Sequence, residues 1–201
     1  MSVMENIHPI FENTLSADEK SVHVGQKGLV IWMIGLSGSG KSTLATGLEN
    51  QLHKKGFYTM LLDGDNLRTG VNKNLCFSED DRRENIRRSA EVAKLFANNA
   101  TVTICSLISP TEQVRQNAKN IIGNKYFEVF INCPLEVCEQ RDVKGLYAKA
   151  RRGEIKNFTG IDSPFENPSN PDVEVRTDLL SLDESLDILI KKIIPRIELN
   201  D

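Results

Sequence analysis

The most constraining feature of this chain is a complete phosphate-binding loop. The segment Gly35–Ser42 fits the pattern G-x-x-x-x-G-K-[ST] at every fixed position. An apolar run, Leu29–Ile34, precedes the loop, and a helix-compatible stretch, Ser42–Lys55, follows it. A strand, a glycine-rich turn and a helix N-terminus in this order form a cradle of backbone N–H groups for nucleotide phosphates. A turn that merely joins a strand to a helix does not need all of these residues, so the segment predicts an ATP-binding site.

Two residues at the end of the loop are expected to carry its chemistry. Lys41 is expected to reach the β- and γ-phosphates, and the Ser42 hydroxyl is expected to bind Mg²⁺. The sequence therefore predicts ATP as a co-substrate and Mg²⁺ as the metal cofactor. The predicted ATP-binding residues are Gly35, Leu36, Ser37, Gly38, Ser39, Gly40, Lys41, Ser42 and Thr43.

Length and charge limit the class of protein. A chain of 201 residues with 39% hydrophobic and 26% charged residues has the composition of an ordinary globular domain. Its formal net charge of −3 provides no global basic field for nucleic acid or an anionic membrane. No apolar run approaches the roughly 18 residues of a membrane span, and the N-terminus lacks the pattern of a signal peptide. We therefore expect a cytoplasmic enzyme with no nucleic-acid or membrane partner.

Strand-like and helix-like segments alternate along the chain. The strand-like runs are Leu29–Ile34, Tyr58–Leu62, Thr101–Ser106, Phe127–Asn132 and, more weakly, Val173–Arg176. The helix-like runs are Ser42–Lys55, Glu79–Asn98, Thr111–Ile122, Leu135–Arg141 and Ser181–Ile194, the last with a capping box of Ser181 and Glu184. This alternation, with nearly continuous apolar strands, predicts an α/β, three-layer P-loop NTPase fold. We expect a mostly parallel sheet flanked by helices on both faces.

Two acidic residues follow the second predicted strand. Asp63 and Asp65 stand two residues apart, and Arg68 follows them. Ligands of parallel sheets gather at the carboxyl ends of the strands. We therefore expect the two carboxylates beside the phosphate loop, where they can position a metal ion or accept a proton from an acceptor hydroxyl. The alternative is an Asp-Gly turn with solvated carboxylates. Arg68 is placed to meet an anionic acceptor.

A strongly charged helix is predicted to begin after Phe77. Ser78 and Asp81 have the spacing of a capping box. Arg82 and Asn85, three residues apart, share one face of this helix. Its many guanidinium groups suit bidentate binding of phosphate or sulfate. The alternative is a solvated face with Glu–Arg pairs.

Two later connections are also candidates for substrate contacts. Ser109, after the third predicted strand, precedes a proline. The pair either starts the next helix or presents the serine hydroxyl to a substrate, and the sequence leaves both open. The basic, glycine-bracketed segment 142–162 has the pattern of a mobile lid that closes on phosphates and excludes water. A plain basic surface loop is the alternative.

Together, these segments resemble the adenylylsulfate kinases, also called APS kinases. The resemblance runs in family order from about Gly28 to the C-terminus. The phosphate loop alone is shared by many NTPases, whereas Lys-Gly-Leu-Tyr at 144–147 followed by Phe-Thr-Gly-Ile-Asp at 158–162 is specific. The other matching segments are Gly35–Thr43, Asp63–Asn66, Phe77–Ser78, Asp81–Arg82, Glu84–Arg88, Ile108–Pro110 and Pro134–Glu139.

The resemblance implies a P-loop kinase domain over residues 28–201, including the lid, preceded by an N-terminal arm over residues 1–27. It implies Mg²⁺-dependent transfer of the γ-phosphoryl group of ATP to the 3′-hydroxyl of adenosine 5′-phosphosulfate (APS). The products are the 3′-phosphorylated compound (PAPS) and ADP, in sulfate assimilation. The family commonly forms homodimers, so a homodimer is expected. The implied substrate-binding residues are Arg68, Phe77, Arg82, Asn85, Ile108, Ser109, Lys144 and Phe158.

The resemblance also implies a role for each residue. Arg68, Arg82 and Asn85 are expected to hold the phosphosulfate. Phe77 and Phe158 are expected to sandwich the adenine. Ile108, Ser109 and Lys144 line the site. The implied catalytic residues are Lys41, Asp63, Asp65 and Ser109, and the implied metal ligands are Ser42 and Asp63.

Two of these catalytic roles need a further choice. Of the two aspartates, we favour Asp63 as the base. Ser109 matches a family serine that is sometimes described as a phosphoserine intermediate. No histidine lies near it in sequence to activate the hydroxyl, so we expect Ser109 to position the substrate while transfer is direct.

Some positions depart from the family pattern. Cys76 and Ala100 stand where glycine is usual. Relatives often have another arginine near Glu112, although Arg115 remains. The altered local charge near Glu112 bears on substrate affinity.

Two other functions also fit part of the sequence. A P-loop kinase of another small hydroxyl compound, such as a sugar acid or a nucleoside, would share the phosphate loop and the acidic turn. It would not need Phe77 or the segment 144–147. A nucleotide-sensing module that binds ATP without turnover would need none of the acceptor-side residues.

Overall fold

The computed structural model describes residues 6–199 and places a five-stranded sheet at the centre of the chain. The strands are β1 (Leu29–Ile34), β2 (Thr59–Asp63), β3 (Val102–Ser106), β4 (Tyr126–Asn132) and β5 (Val173–Arg176). They lie in the order β2-β3-β1-β4-β5, and every neighbouring pair is parallel. The predicted α/β fold with a parallel sheet is therefore confirmed.

Helices cover both faces of this sheet. They are α1 (Ala17–Val24), α2 (Lys41–Lys54), α3 (Gly64–Thr69), α4 (Glu79–Asn98), α5 (Glu112–Ile122), α6 (Leu135–Arg141), α7 (Leu146–Arg151) and α8 (Leu182–Ile197). Short 3₁₀ turns lie at Phe11–Asn13 and Gly123–Lys125. Within the described residues, none of the helices has the length and apolarity needed to cross a membrane.

The central strand β1 is apolar throughout because both of its faces are covered. All six of its residues are buried. Side chains alternate between the two faces of a strand, so Ile31 and Met33 pack in the core cluster with α2 and α8. Val30 and Trp32 pack in a second cluster with α4 and α5. Parallel pairing brings the carboxyl ends of the strands to one edge of the sheet, where the connections that carry the predicted site begin.

The last helix extends further than its sequence predicts. The sequence pattern predicts an end at Ile194, but α8 continues to Ile197 although Pro195 lies inside it. Proline normally ends a helix because it lacks an N–H donor. Here Ile193 and Ile197 are fully buried in the core, and the Lys27 N–H donates to the Ile197 carbonyl at 2.7 Å. Tertiary packing therefore adds one more turn.

Three short helices lie in segments where the sequence pattern predicts no helix. The eight-residue α1 lies in the N-terminal arm and begins with a capping box of Ser16 and Glu19. The six-residue α3 begins at Asp63, its N-cap, so the acidic turn is the start of a helix. The six-residue α7 lies in segment 142–162, which is named the lid after its predicted role and is partly helical. Helices of this length contain too few turns to show clear periodicity in a sequence.

The start of β3 explains one departure from the family pattern. Ala100 has a φ of 58°, in the left-handed region that costs a non-glycine residue about 1–2 kcal/mol. This backbone is why glycine is usual at the position. The buried side chain of Gln26 donates to the carbonyls of Ala100 at 2.7 Å and Tyr58 at 2.9 Å. These bonds hold the strained turn in place between β2 and β3.

Candidate active site

The phosphate loop lies between β1 and α2, as the sequence predicts. Gly35 has a φ of 151°, and a Cβ atom there would lie 2.5 Å from the carbonyl oxygen of Ile131 in β4. Glycine is therefore required for this close approach. Gly40, with a φ of 96°, is the N-cap of α2. Because the first N–H groups of a helix have no intrahelical partner, they provide donors for phosphate oxygens at this point.

Lys41 lies folded against the phosphate loop. Its side chain is buried, and Nζ donates to the carbonyls of Gly35 at 2.9 Å and Leu36 at 2.6 Å. Burial lowers the pKa of Lys41 to about 8, and the nearby carboxylate of Asp63 offsets only part of that effect. The ammonium group is therefore held where phosphates are expected, by bonds that a phosphate can replace.

A hydroxyl and a carboxylate meet beside the loop. Ser42 Oγ donates to Asp63 Oδ2 at 2.9 Å and lies 3.4 Å from Ser106 Oγ at the end of β3. Oxygen ligands of this kind fit Mg²⁺, which takes few protein ligands and completes its shell with phosphates and water. Residues 6–199 contain no group of three or more His, Cys, Asp or Glu side chains that could hold a metal ion. Ser42 and Asp63 thus fit a metal that is shared with a nucleotide.

The two aspartates of the acidic turn have different partners. Asp63 Oδ1 accepts a hydrogen bond from the Asp65 N–H at 3.0 Å, while its other oxygen bonds Ser42. The exposed carboxylate of Asp65 forms an ion pair with Lys144 in the lid, and this hydrogen bond raises the pKa of Lys144. Asp63 therefore belongs to the phosphate-loop side, and Asp65 connects to the lid.

Two arginines lie against one aromatic ring. The guanidinium carbons of Arg68 and Arg82 lie 4.5 and 5.9 Å from the ring centroid of Phe77. Burial lowers the pKa of both groups, and the charge of Arg68 lowers that of Arg82 further. Phe77 is 61% exposed, so the two cations flank an open aromatic surface. Like charges held together in this way favour an anion between them, and the ring favours a flat ligand.

Arg82 also connects helix α4 to the lid. Its guanidinium donates to the Phe77 carbonyl at 3.0 Å, to Thr159 Oγ1 at 3.0 Å and to the Asn157 carbonyl at 2.6 Å. Asn157 and Thr159 flank Phe158. One side chain therefore joins the two segments that carry the predicted adenine-stacking rings.

Two of the predicted substrate residues have other partners in the structure. Asn85 lies one turn after Arg82 but is buried, and its Oδ1 accepts from Asn72 Nδ2 at 3.0 Å. The carbonyl of Ile108 accepts from the Gly35 N–H at 3.4 Å and so ties the end of β3 to the phosphate loop.

Ser78 is the N-cap of α4, but the carboxylate of Asp81 bonds the Cys76 N–H. The predicted capping box is therefore only half formed.

Ser109 lies in a strained and enclosed position. It has a φ of 46°, is 1% exposed, and its Oγ accepts from Trp32 Nε1 at 3.0 Å. The buried Arg115 donates to the Ser109 carbonyl at 3.2 Å and to the Glu166 carbonyl at 2.8 Å. Among the hydrogen bonds of residues 6–199, none joins Ser109 Oγ to a carboxylate or an imidazole. No pattern in the sequence indicates that Trp32 and Arg115 bond Ser109.

The lid packs on the phosphate loop through a third apolar cluster. Its buried members are Leu36, Cys133, Cys138 and Tyr147, and Leu135, Val137, Phe158, Ile161 and Phe165 pack against them. Tyr147 OH donates to the Ser37 carbonyl at 2.8 Å. Asp142 accepts from the N–H groups of Tyr147 and Ala148, both at 3.0 Å, and so fixes the start of α7. In the sequence, Tyr147 is only the last residue of the segment 144–147, and no pattern indicates its bond to the loop.

A second hydroxyl holds the loop from the end of β5. Thr177 Oγ1 donates to the Ser39 carbonyl at 2.7 Å, and the Thr177 carbonyl accepts from Arg141 at 2.7 Å. The loop is therefore supported by one side chain from the lid and one from the sheet. Nothing in the sequence indicated this contact.

Comparison with known proteins gives a consistent result. The family model described as adenylylsulphate kinase matches residues 27–176. An adenylyl-sulfate kinase from Bacteroides fragilis is 53% identical over 198 residues, which cover 98% of each chain. Another, from Clostridium acetobutylicum, is 54% identical over 166 residues, 83% of each chain. The solved structure of an APS kinase from Mycobacterium tuberculosis, in complex with AMPPNP and APS, is 47% identical with a TM-score of 0.81. That match covers 84% of this chain and 98% of the other. The chain therefore belongs to the adenylylsulfate kinase family.

Proposed function

We propose that this chain is an adenylylsulfate kinase, which transfers the γ-phosphoryl group of ATP to the 3′-hydroxyl of APS and gives PAPS and ADP. The observation that carries the proposal is the position of Arg68 and Arg82 against the exposed ring of Phe77. APS combines an adenine with an anionic phosphosulfate and so matches both features. A sugar acid has no planar aromatic base that could stack on Phe77. The relative from Mycobacterium tuberculosis, solved with AMPPNP and APS, supports the same acceptor.

The nucleotide is held on the loop side of the site. Backbone N–H groups of the loop and of α2 bind the phosphates, and Lys41 neutralises charge that develops on the transferring group. Ser42 and Asp63 would hold Mg²⁺, which would supply further neutralisation of the phosphate charge. Transfer needs little else from the protein, because phosphoryl transfer depends chiefly on positioning and electrostatic stabilisation.

The transfer itself exchanges one bond for another. The 3′-oxygen of the acceptor bonds to the γ-phosphorus while the bond from that phosphorus to the β–γ bridging oxygen breaks. ADP departs, and the hydroxyl proton passes to a base. We assign this role to Asp63, because its carboxylate lies on the loop side, in contact with Ser42. Asp65 and Lys144 form an ion pair and are placed to orient the acceptor.

On this proposal, Ser109 positions the acceptor and carries no covalent intermediate. Its burial and its bond to Trp32 support this role, since a nucleophilic serine needs an adjacent base. Ser109→Ala should keep measurable turnover with weaker acceptor binding, and initial-rate plots should intersect. Parallel plots, together with a chemically competent phosphoserine at this position, would show that transfer passes through Ser109.

The acceptor can be tested directly. We expect APS, with Mg·ATP, to accelerate ADP formation far above the rates with water, gluconate or a nucleoside. A larger stimulation by gluconate or a nucleoside would make the chain a kinase of that acceptor. ATP that persists with every acceptor would indicate a nucleotide-binding module without turnover.

We also propose that the chain forms a homodimer, as the family resemblance implies. Sedimentation velocity at micromolar concentration should give a single species of twice the 22.5 kDa chain mass. A monomer or a larger assembly at all concentrations would refute this point, and the proposed activity would be unaffected.

A further inference from the structure

We propose that Tyr147 is a positioning residue that couples the nucleotide site to the acceptor site. Its hydroxyl bonds the phosphate loop and its ring supports the acceptor side of the lid. On this proposal, occupancy of the loop raises the affinity for the acceptor through this side chain. The inference rests on the proposed function and adds to it the residue that links the two substrates.

The first end of this link is a run of three backbone carbonyls in the phosphate loop. Lys41 Nζ bonds the carbonyls of Gly35 and Leu36, and Tyr147 OH bonds the next one, that of Ser37. An ammonium group has three donors, and Lys41 Nζ also lies 3.5 Å from Ser39 Oγ, so all three have an acceptor in the loop. Lys41 must therefore break at least one of these bonds to donate to a phosphate. The tyrosine is bonded to the same stretch of backbone that this exchange disturbs.

The second end is the aromatic contact with Phe158. The ring centroids of Tyr147 and Phe158 are 5.0 Å apart, and the planes meet at 78°, an edge-to-face arrangement that aromatic pairs favour. Phe158 is one of the two predicted adenine contacts, and its neighbours Asn157 and Thr159 bond Arg82. A shift of the Tyr147 ring therefore reaches the acceptor side directly.

The Tyr147 side chain is too tightly packed to move independently of the residues around it. It is 2% exposed, and its backbone N–H is bonded by Asp142 at the start of α7. Burial raises the pKa of its hydroxyl above the ordinary value, so the group stays protonated and can donate to the Ser37 carbonyl. The side chain and α7 therefore move together with the loop.

Coupling of this kind acts equally in both directions. If a bound nucleotide raises acceptor affinity by some factor, a bound acceptor raises nucleotide affinity by the same factor. A single hydrogen bond contributes enough to account for about a three- to tenfold effect. Tyr147→Phe deletes this bond and keeps the ring contact with Phe158.

The test compares two variants that each lose one hydroxyl bond to the loop. Thr177→Val is the matched control, since Thr177 bonds the Ser39 carbonyl from the sheet and has no contact with the lid in the described bonds. The affinity for APS is measured by calorimetry with and without Mg·AMPPNP, in the wild type and both variants. We expect Tyr147→Phe to lower the ratio of the two affinities about three- to tenfold. Thr177→Val should weaken nucleotide binding and leave the ratio unchanged.

Hydrogen exchange gives a second readout. AMPPNP should slow exchange of the α7 amides in the wild type and in Thr177→Val, and much less in Tyr147→Phe. The coupling role would be overturned if Tyr147→Phe left the ratio of the two APS affinities unchanged, even if it lowered both affinities equally. An equal drop of the ratio in Thr177→Val would overturn it too. Failure of the wild type to bind APS at all would instead refute the proposed function.

Discussion

The two halves of this site are built in different ways. The phosphate loop is one contiguous segment whose shape comes from backbone geometry, as at Gly35 and Gly40. The acceptor side is assembled from α3, α4, the end of β3 and the lid. Its cations are held by contacts between segments, such as Lys144 with Asp65 and Arg82 with Thr159. We therefore expect the nucleotide to be recognised mainly by one contiguous segment, and the acceptor by residues that several segments bring together.

Mutations in the two halves of the site are expected to have different effects. A side-chain change in the loop that keeps its glycines should reduce turnover and leave the fold intact, because the glycines set the loop's shape. A change among the acceptor-side contacts should weaken acceptor binding or stability first.

Lys41→Ala should have the largest effect. Removing one preorganised electrostatic contact costs about 10²–10³-fold in kcat, and the fold should survive. Lys125→Ala is the matched control, because its Nζ also donates to a backbone carbonyl, that of Ala97 at 2.9 Å, but at the amino end of β4. Steady-state kinetics and circular dichroism measure both variants. Near-wild-type turnover in a folded Lys41→Ala protein would contradict the assignment of Lys41.

The acidic turn offers a comparison within a few residues. Asp63→Asn should reduce kcat about 10²-fold, because it weakens metal placement or removes the base. Asp65→Asn should chiefly raise KM for the acceptor, because Asp65 is paired with the lid through Lys144. Kinetics with both substrates varied would distinguish the two. The assignment of the two roles would be reversed if Asp65→Asn lost more turnover than Asp63→Asn.

The pH dependence of ATP binding tests the loop side. Burial lowers the pKa of Lys41 to about 8 in the free enzyme, and bound phosphates should keep the ammonium charged. ATP binding should therefore take up a proton above pH 8, and affinity should fall by up to about tenfold per pH unit there. Calorimetry at pH 8.5 to 9, in two buffers of different ionisation enthalpy, would detect the proton. Lys41→Ala should abolish the dependence, and a dependence that persists in this variant belongs to another group.

Two Glu–Arg pairs of the same spacing test the acceptor side. Arg115 is 1% exposed and bonds the Ser109 loop, whereas Arg87 is 52% exposed and pairs with Glu84 on the surface. Arg115→Met removes a buried donor and leaves the buried Ser109 carbonyl without its partner, so it should lower the free energy of unfolding by about 1–3 kcal/mol and raise KM for the acceptor severalfold. Arg87→Met should change stability by less than about 1 kcal/mol. Equal effects of the two variants on KM would refute a positioning role for Arg115.

The same division decides how much the sequence could predict. The strand β1, the loop and the start of α4 follow from patterns within one segment, and the structure confirms them. Tyr147 and Ser37 are 110 residues apart, so no local pattern could indicate their bond. Asn85 shows the same limit, because helical spacing placed it beside Arg82, whereas contact with Asn72 decided its environment.

Burial of polar groups was the other signal that the sequence lacked. In the sequence, Arg115 has the pattern of an exposed residue of an amphipathic helix. In the structure it is buried in α5 and donates to the Glu166 carbonyl. Trp32 belongs to an apolar strand, and nothing local indicates that its indole N–H bonds Ser109. Such residues become recognisable only when tertiary packing removes them from water.

Identification of the product shows whether this chain phosphorylates APS at the 3′-oxygen. The protein is incubated with Mg·ATP and APS, and the product is analysed by mass spectrometry and ³¹P NMR. We expect one equivalent of ADP for each APS that gains a phosphoryl group, and the new phosphate on the 3′-oxygen. Unmodified APS in the presence of an active, folded protein that phosphorylates another hydroxyl compound would contradict the proposed function.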